Sequence, residues 1–398
     1  MIWSAQQEAA LAAVGEWYDS GEKPWFYLAG YAGSGKSTLA KHLAASIGGN
    51  TVFAAFTGKA AEVMVRMGCV GATTIHRLIY MPREKSRERL RELHDELKAE
   101  KSELTRERIR RLITIESKLL RAPSWDLSTG KGLRNADLIV IDECSMVGRG
   151  MAEDLLSFGV PVLVLGDPAQ LPPVAGQGFF TSQTPDVMLT EVHRQALESP
   201  ILRLATDIRE GKPILRGDYG RGLEVIERAE VVSESVPEYG QVIVGRNKTR
   251  IDYNRKIRRI IGRTDPLPIE NDKVICLRNN HDLGIMNGQT WTVLDRGPSL
   301  EGDDVCELVL RSDDDRVIEV DTWSALFLGN ELGPWDEDNK DVQKFDYGNA
   351  ITCHKAQGSQ YGTVMVFDES FCFRKNAQQW AYTACTRASD QLTWVKMS

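Results

Sequence analysis

The sequence predicts an α/β protein of two tandem domains, each a parallel sheet with helices on both faces. Three observations carry this. The chain has 398 residues, which at roughly 150 residues per domain suggests two to three domains. Apolar residues make up 42% and charged residues 26%, the balance of a folded globular protein, which excludes wholesale disorder and collagen-like or mucin-like chains. Short apolar runs without alternation recur between helical patterns, as strands buried on both faces do.

In order, Ser4 followed by Gln7 predicts a capping box opening a helix over Ala5 to Tyr18. Trp25 to Ala29 reads as a buried strand, Leu39 to Ile47 as helix, and Val52 to Phe56, Leu138 to Ile141 and Val160 to Leu165 as further strands. Gln241 to Val244, Thr363 to Phe367 and Leu392 to Val395 repeat the type in the second half. Two stretches break the rhythm. Residues 82–122 are charged and almost free of Gly and Pro, with Leu90, Leu93, Leu97 and Leu104 at helical or heptad spacing, predicting an exposed helical arm, either one helix or a hairpin turning at Ser102 to Thr105. Residues 266–341 carry short β-like runs between polar turns such as Asn287-Gly288, predicting a small inserted β-barrel.

No apolar run reaches the roughly 18 residues of a membrane span, and the start lacks a signal-peptide pattern, so a cytoplasmic, membrane-free protein is expected. The seven cysteines are scattered and nowhere in CxxC spacing, which reads as small buried hydrophobes rather than disulfides or a zinc site. The net charge is −7, yet the arm from Arg83 to Arg121 holds 13 Lys/Arg against 9 Asp/Glu. Nucleic-acid binding would therefore rest on specific grooves and not on a basic surface.

Gly30-Tyr31-Ala32-Gly33-Ser34-Gly35-Lys36-Ser37, followed by Thr38, fits the phosphate-binding loop GxxxxGK[ST] between a strand and a helix. Lys36 is expected on the β- and γ-phosphates and Ser37 on Mg²⁺. Asp142-Glu143 closes a buried strand, placing Asp142 to hold the metal and Glu143 to orient a water, which favours ATP hydrolysis over small-molecule phosphorylation.

Gly166-Asp167-Pro168-Ala169-Gln170-Leu171-Pro172-Pro173, with Thr57-Gly58-Lys59-Ala60-Ala61, Thr74-Ile75-His76, His354-Lys355-Ala356-Gln357-Gly358-Ser359 and Tyr382-Thr383-Ala384-Cys385-Thr386-Arg387-Ala388, resembles the superfamily 1 helicases, and within them the RecD-like and Dda-like 5′ to 3′ branch. The resemblance implies two RecA-like domains, 1–81 with 122–195 and 196–265 with 342–398, the arm at 82–121 in the first and an SH3-like barrel at 266–341 in the second. It implies Gln7 at the adenine, Gln170 at the γ-phosphate, and Arg194 and Arg387 as arginine fingers. His193 stands where the family usually has Tyr or Phe, and Gln360, beside Gly358 on the nucleotide side, where many members have Glu. Thr57, Lys59, Thr74, His76, Pro172, Thr352, His354, Lys355 and Gln357 would line the single strand, with Asn247 and Arg250 beside them. The implied activity is ATP- and Mg²⁺-dependent movement on single-stranded DNA and at single-strand/duplex junctions. The competing expectation is a DNA-stimulated ATPase that remodels or clamps and docks a protein partner through the arm.

Overall fold

The computed structural model describes residues 3–82, 87–121, 125–130, 132–174, 176–191, 199–280, 283–298, 304–333, 339 and 341–397. Helix α1 (Ala5–Ser20) opens on the expected capping box: Gln7 N donates to Ser4 Oγ at 3.3 Å and Ser4 N to Gln7 Oε1 at 3.1 Å. It runs two residues beyond Tyr18, to a left-handed Gly21. There follow β1 (Trp25–Gly30), α2 (Lys36–Ile47), β2 (Thr51–Ala55), α3 (Gly58–Arg66), β3 (Thr73–Thr74), α4 (Ile75–Ile79), β4 (Tyr80–Pro82), α5 (Arg87–Ala99), α6 (Glu103–Arg121), β5 (Trp125–Leu127), β6 (Leu138–Asp142), α7 (Arg149–Leu156), β7 (Val162–Gly166) and β8 (Val187–Leu189). Six of these strands form a wholly parallel sheet in the order β3-β2-β6-β7-β1-β8. Leu28, Leu138 and Val140 pack one face against Val14 and Leu43, while Tyr27, Ile139 and Ile141 pack the other against Ile75 and Leu155. Burial on both faces is why these strands read as continuous apolar runs.

The segment expected to be an arm is a helical hairpin: α5 and α6 are joined at residues 100–102 and stand on the two-stranded ribbon of β4 and β5. Leu90, Leu93 and Ile109 are buried, whereas Leu112 and Ile115 are exposed. Of the two shapes open from sequence, the structure adopts the hairpin, but it turns at residues 100–102, and Glu103 to Thr105, expected in the turn, already form the first turn of α6.

The second half contains α8 (Pro200–Arg209), β9 (Gly217–Gly220), β10 (Leu223–Glu227), β11 (Gln241–Val244), α9 (Asn247–Ile260), β12 (Lys273–Cys276), β13 (Thr290–Arg296), β14 (Val305–Ser312), β15 (Val317–Trp323), α10 (Ser324–Phe327), β16 (Phe345–Tyr347), β17 (Ala350–Thr352), α11 (Cys353–Ala356), β18 (Tyr361–Phe367), α12 (Ala377–Cys385) and β19 (Ala388–Lys396). One sheet, β17-β11-β18-β19-β10-β9, is parallel except for the edge strand β9. The other, β15-β14-β13-β12-β16, is antiparallel around its own core of Val274, Trp291, Leu308 and Phe345. Because β16 pairs with β12, this sheet extends past the boundary at residue 341 expected from sequence. The seven cysteines are free thiols and all but Cys372 are buried. Among the described residues no helix is long and apolar enough to cross a membrane.

Candidate nucleotide and nucleic-acid site

The chemistry-bearing residues collect at the carboxyl ends of the strands, where parallel sheets place ligands. Gly30 ends β1, and the loop after it turns through left-handed Gly33 and Gly35 before α2 begins at Lys36. A Cβ on Gly30 would lie 2.6 Å from Ser34 Oγ and 3.1 Å from Lys36 Cγ, so only glycine lets the loop close this tightly. Lys36 Nζ donates to the Gly30 and Tyr31 carbonyls at 2.6 and 3.0 Å. Ser34 Oγ is buried inside the loop without a hydrogen-bond partner among the described residues, next to the start of α2, and a helix N-terminus offers free amides, the arrangement that receives phosphate. Thr38 is half-buried in that turn.

Ser37 Oγ donates to Asp142 Oδ2 at 2.8 Å, bringing together two hard oxygen donors that suit Mg²⁺. Glu143 takes φ 54°, ψ 47°, a left-handed conformation costing an L-residue about 1–2 kcal/mol. Such strain persists where the surroundings impose it, and here it aims the carboxylate into the cleft. Burial pushes the Glu143 carboxyl above its usual range; Arg387 opposes the shift, Asp142 adds to it and Lys36 opposes it. Gln7 Nε2 donates to Ser34 O at 3.1 Å, fastening α1 to the loop.

The facing wall comes from the second half of the chain. Arg387 is buried, its guanidinium donating to Thr383 O, Ser359 O and Thr386 Oγ1, each at 3.1 Å, and its charge acts on Glu143 and Asp167. A buried guanidinium held by neutral acceptors while facing carboxylates is set for incoming anionic charge. Gln170 is buried, with Ser145 Oγ 3.5 Å from its Oε1. Gly358, at φ 74°, lies against Thr57 and Ala60 of the opposite domain. Gln360 is exposed. His193 and Arg194 lie outside the described residues. The strand end leading towards them is held by Gln6, whose Nε2 donates to Thr190 Oγ1 at 2.8 Å and whose Oε1 accepts from the Thr190 and Glu191 amides at 2.9 and 3.0 Å.

A second cleft, of about 400 Å³, opens between the first domain and the antiparallel sheet, lined by Phe56, Thr57, His76 and Tyr80 on one side and Asn279 and Asn287 on the other. His76 lies 6.1 Å from the Phe56 ring and 5.6 Å from the Tyr80 ring. Burial lowers the pKa of His76 and of His354, and for His354 a bond to the Pro172 backbone opposes the shift. Thr57 and Thr74 cap α3 and α4, accepting from Ala60 N at 3.2 Å and Arg77 N at 3.3 Å. Lys59 pairs with Glu62 at 3.3 Å and with Asp313 of the antiparallel sheet at 3.9 Å. A Cβ on the buried Gly58 would run into Met286, so the sheet sits directly on the start of α3. Gln357 Nε2 donates to Leu171 O at 2.7 Å. Thr352 is buried, and Asn247 is exposed at the start of α9.

Arg250 departs from its expected place beside the strand. It is buried and paired with Asp346 at 2.5 Å, and that carboxylate holds it inside the second domain. Lys355 is near the same pair; burial lowers its pKa, Arg250 adds to this and Asp346 opposes it.

Sequence reasoning gave no role to Phe56, Tyr80 or Gln6, nor to Asp167 and Tyr382, although both of the latter stand inside the motifs it used. Tyr382 joins Asp167 to the phosphate loop across the cleft. The available signal was that a buried tyrosine hydroxyl needs a partner.

Comparison with known proteins yields two family matches, an AAA domain over residues 3–234 and a UvrD-like helicase C-terminal domain over residues 347–395. The ATP-dependent RecD2 DNA helicase of Deinococcus radiodurans is 28% identical across 92% of this chain, and the chain spans 46% of that relative's length. Among solved structures, Pif1 helicase from Bacteroides in complex with ADP-AlF3 and ssDNA aligns with TM-score 0.53 and 19% identity, covering 99% of this chain and 92% of that one. Pif1 helicase from Candida albicans aligns with TM-score 0.54 and 17% identity, covering 100% and 95%. At these identities the two structures establish a common fold.

Proposed function

We propose that this chain, which belongs to the AAA-domain family matched over residues 3–234 and with it to the superfamily 1B RecD/Pif1-like helicases, is an ATP-dependent motor moving 5′ to 3′ along single-stranded DNA and unwinding duplex. The observation that carries this is the shared construction of the two clefts. Arg387 faces Glu143 across the first, and Gly358, four residues after His354, rests on the cap of α3 that borders the second. Closing the domains on nucleotide therefore changes the grip on a strand, and by linkage the strand changes nucleotide turnover.

In this reading the loop from Gly30 to Thr38 binds the phosphates, Gln7 marks the adenine side, and Gly358 and Gln360 border the nucleotide from the second domain. Ser37 and Asp142 would hold Mg²⁺, which when bound neutralises phosphate charge. Glu143 orients the attacking water, Gln170 senses the γ-phosphate, and Arg387, with Arg194, meets charge developing on the phosphoryl group. Thr57, Lys59, Thr74, His76, Pro172, Thr352, His354, Lys355 and Gln357 line the strand path, with Asn247 at its margin. Residues 1–81 with 122–195, and 196–265 with the chain after the antiparallel sheet, are the two RecA-like domains. The antiparallel sheet is read as an SH3-like barrel that helps enclose the strand, and the hairpin as an inserted arm.

The test is ATP hydrolysis with and without single-stranded DNA, followed by unwinding of duplexes carrying a 5′ or a 3′ tail. Strong stimulation and preference for the 5′ tail are expected; a rate indifferent to nucleic acid removes the motor. A second reading, a DNA-stimulated remodelling factor, draws support from the hairpin, where Leu112 and Ile115 are 39% and 54% exposed. Replacing residues 87–121 with a short Gly/Ser linker should leave stimulated hydrolysis near the parent rate in both readings. Unchanged unwinding after that replacement makes the hairpin a docking element.

A further inference from the structure

Tyr382 belongs to α12 of the second domain, yet its hydroxyl reaches the phosphate loop 350 residues earlier in the sequence. The hydroxyl donates to Asp167 Oδ2 at 2.6 Å and accepts the Ala32 N–H at 2.9 Å. Tyr382 is 2% exposed and Asp167 fully buried, so neither polar contact is exchangeable with water at low cost. The other Asp167 oxygen accepts from Ala169 N at 2.9 Å, and the carboxylate faces the charges of Lys36 and Arg387. One residue along, the Arg209 guanidinium stacks 3.5 Å from the centroid of the Tyr31 ring. The phosphate loop is thus held by the second domain at two consecutive residues.

A phenol has one proton to give and lone pairs to accept with, and here both capacities are spent across the domain boundary. The donated bond runs to a carboxylate, the stronger kind. Asp167 opens the segment that carries Gln170, and Leu171 N in that segment donates to Thr383 Oγ1 at 2.8 Å, next to Tyr382. Arg387 follows five residues after Tyr382, with its N–H on Ala384 O at 3.3 Å, so the end of α12 and the finger move as one piece.

We propose that Tyr382 is a positioning residue for ATP hydrolysis: through Asp167 and the Ala32 amide it seats the end of α12 on the phosphate loop, at the distance from which Arg387 reaches the phosphates. This rests on the hydrolytic reading of the cleft. Tyr382 touches neither the nucleotide nor the attacking water; it fixes the frame in which other groups do.

The test uses the full chain as parent, Tyr382→Phe, Asp167→Asn and the double variant, with ATP turnover measured at saturating single-stranded DNA and the affinity for a fluorescent ADP analogue measured separately. Tyr382→Phe keeps the buried ring and removes both bonds. It should lower kcat at least tenfold while KM for ATP and the ADP affinity move less than threefold, because a misplaced finger is missed in the transition state and not in ground-state binding. The double variant should fall no further than the worse single, since the two side chains act as a unit. Parental kcat in Asp167→Asn overturns the proposal even if Tyr382→Phe fails to fold. A rise in KM at constant kcat, or multiplicative losses in the double variant, overturns it as well. A parent that hydrolyses ATP indifferently to DNA removes the motor reading instead, and the same kcat and KM comparison on the unstimulated rate then decides Tyr382.

Discussion

Gly358→Ala separates the cost of a local backbone from the cost of bringing the domains together. Gly358 has φ 74°, and a Cβ built on it lies 2.8 Å from Thr57 Oγ1 and 2.9 Å from Ala60 Cβ of the other domain. The left-handed backbone costs alanine about 1–2 kcal/mol whether or not the domains meet. Overlap with Thr57 and Ala60 exists only when they do, and relieving such overpacking costs about 1–3 kcal/mol. The first cost lowers the melting temperature, by roughly 2–4 °C per kcal/mol for a domain of 150–250 residues. The second lowers the equilibrium constant for apposition by about 5- to 150-fold. Gly262→Ala is the control, because Gly262 has φ 78° with no atom of the described residues within 4 Å of its Cβ position. Calorimetry should show similar thermal losses in both variants, while single-strand-stimulated ATP turnover should fall only in Gly358→Ala. Equal turnover in the two variants refutes the argument that apposition at Gly358 belongs to the working cycle.

Glu143→Gln should bind a fluorescent nucleotide like the parent and lose phosphate release; parental turnover reassigns the water-orienting group. Arg387→Ala should lose about 10³-fold or more in stimulated kcat if it acts as a finger, and a loss confined to KM makes it a binding residue. Burial lowers the pKa of Lys355, with Arg250 adding and Asp346 opposing, and a base so shifted sheds its charge as pH rises before an ordinary lysine does. Single-strand affinity, followed by anisotropy at constant salt, should therefore weaken on the alkaline side in the parent and hold in Lys355→Arg, which stays charged; coincident profiles remove Lys355 from the strand path.

The elements legible in the sequence are those whose burial is uniform or whose backbone needs a specific residue. Strands β1, β6 and β7 are covered on both faces and read as apolar runs, and the phosphate loop shows itself through Gly30, Gly33 and Gly35. The strands β3, β8 and β17 are two or three residues long, too short to carry a period, and β10 reads Leu223-Glu224-Val225-Ile226-Glu227, half exposed and ambiguous between turn and strand. Their place in a sheet is decided by neighbours far along the chain. The strain at Glu143 was equally invisible, because nothing in Asp142-Glu143 records that the second residue turns left-handed.

Charge misleads for a related reason. The start of α9, Asn247-Lys248-Thr249-Arg250, reads as a basic face, but Arg250 turns inward to Asp346, 96 residues later. Arg258 likewise meets Asp272 and stacks 4.3 Å from the centroid of the Tyr347 ring. A guanidinium committed to a buried carboxylate is lost to phosphate, since leaving that carboxylate unpaired costs more than a surface phosphate contact returns. A basic residue locked to a buried carboxylate is therefore withdrawn from the strand path whatever the local composition suggests, whereas Lys59, whose partners Glu62 and Asp313 are themselves part-exposed, is not. Lys355, beside the pair of Arg250 and Asp346 and without the stronger claim on it, follows from the same rule. Its ammonium, destabilised by burial and by Arg250 and only partly supported by Asp346, is the charge whose titration should govern the grip on a strand.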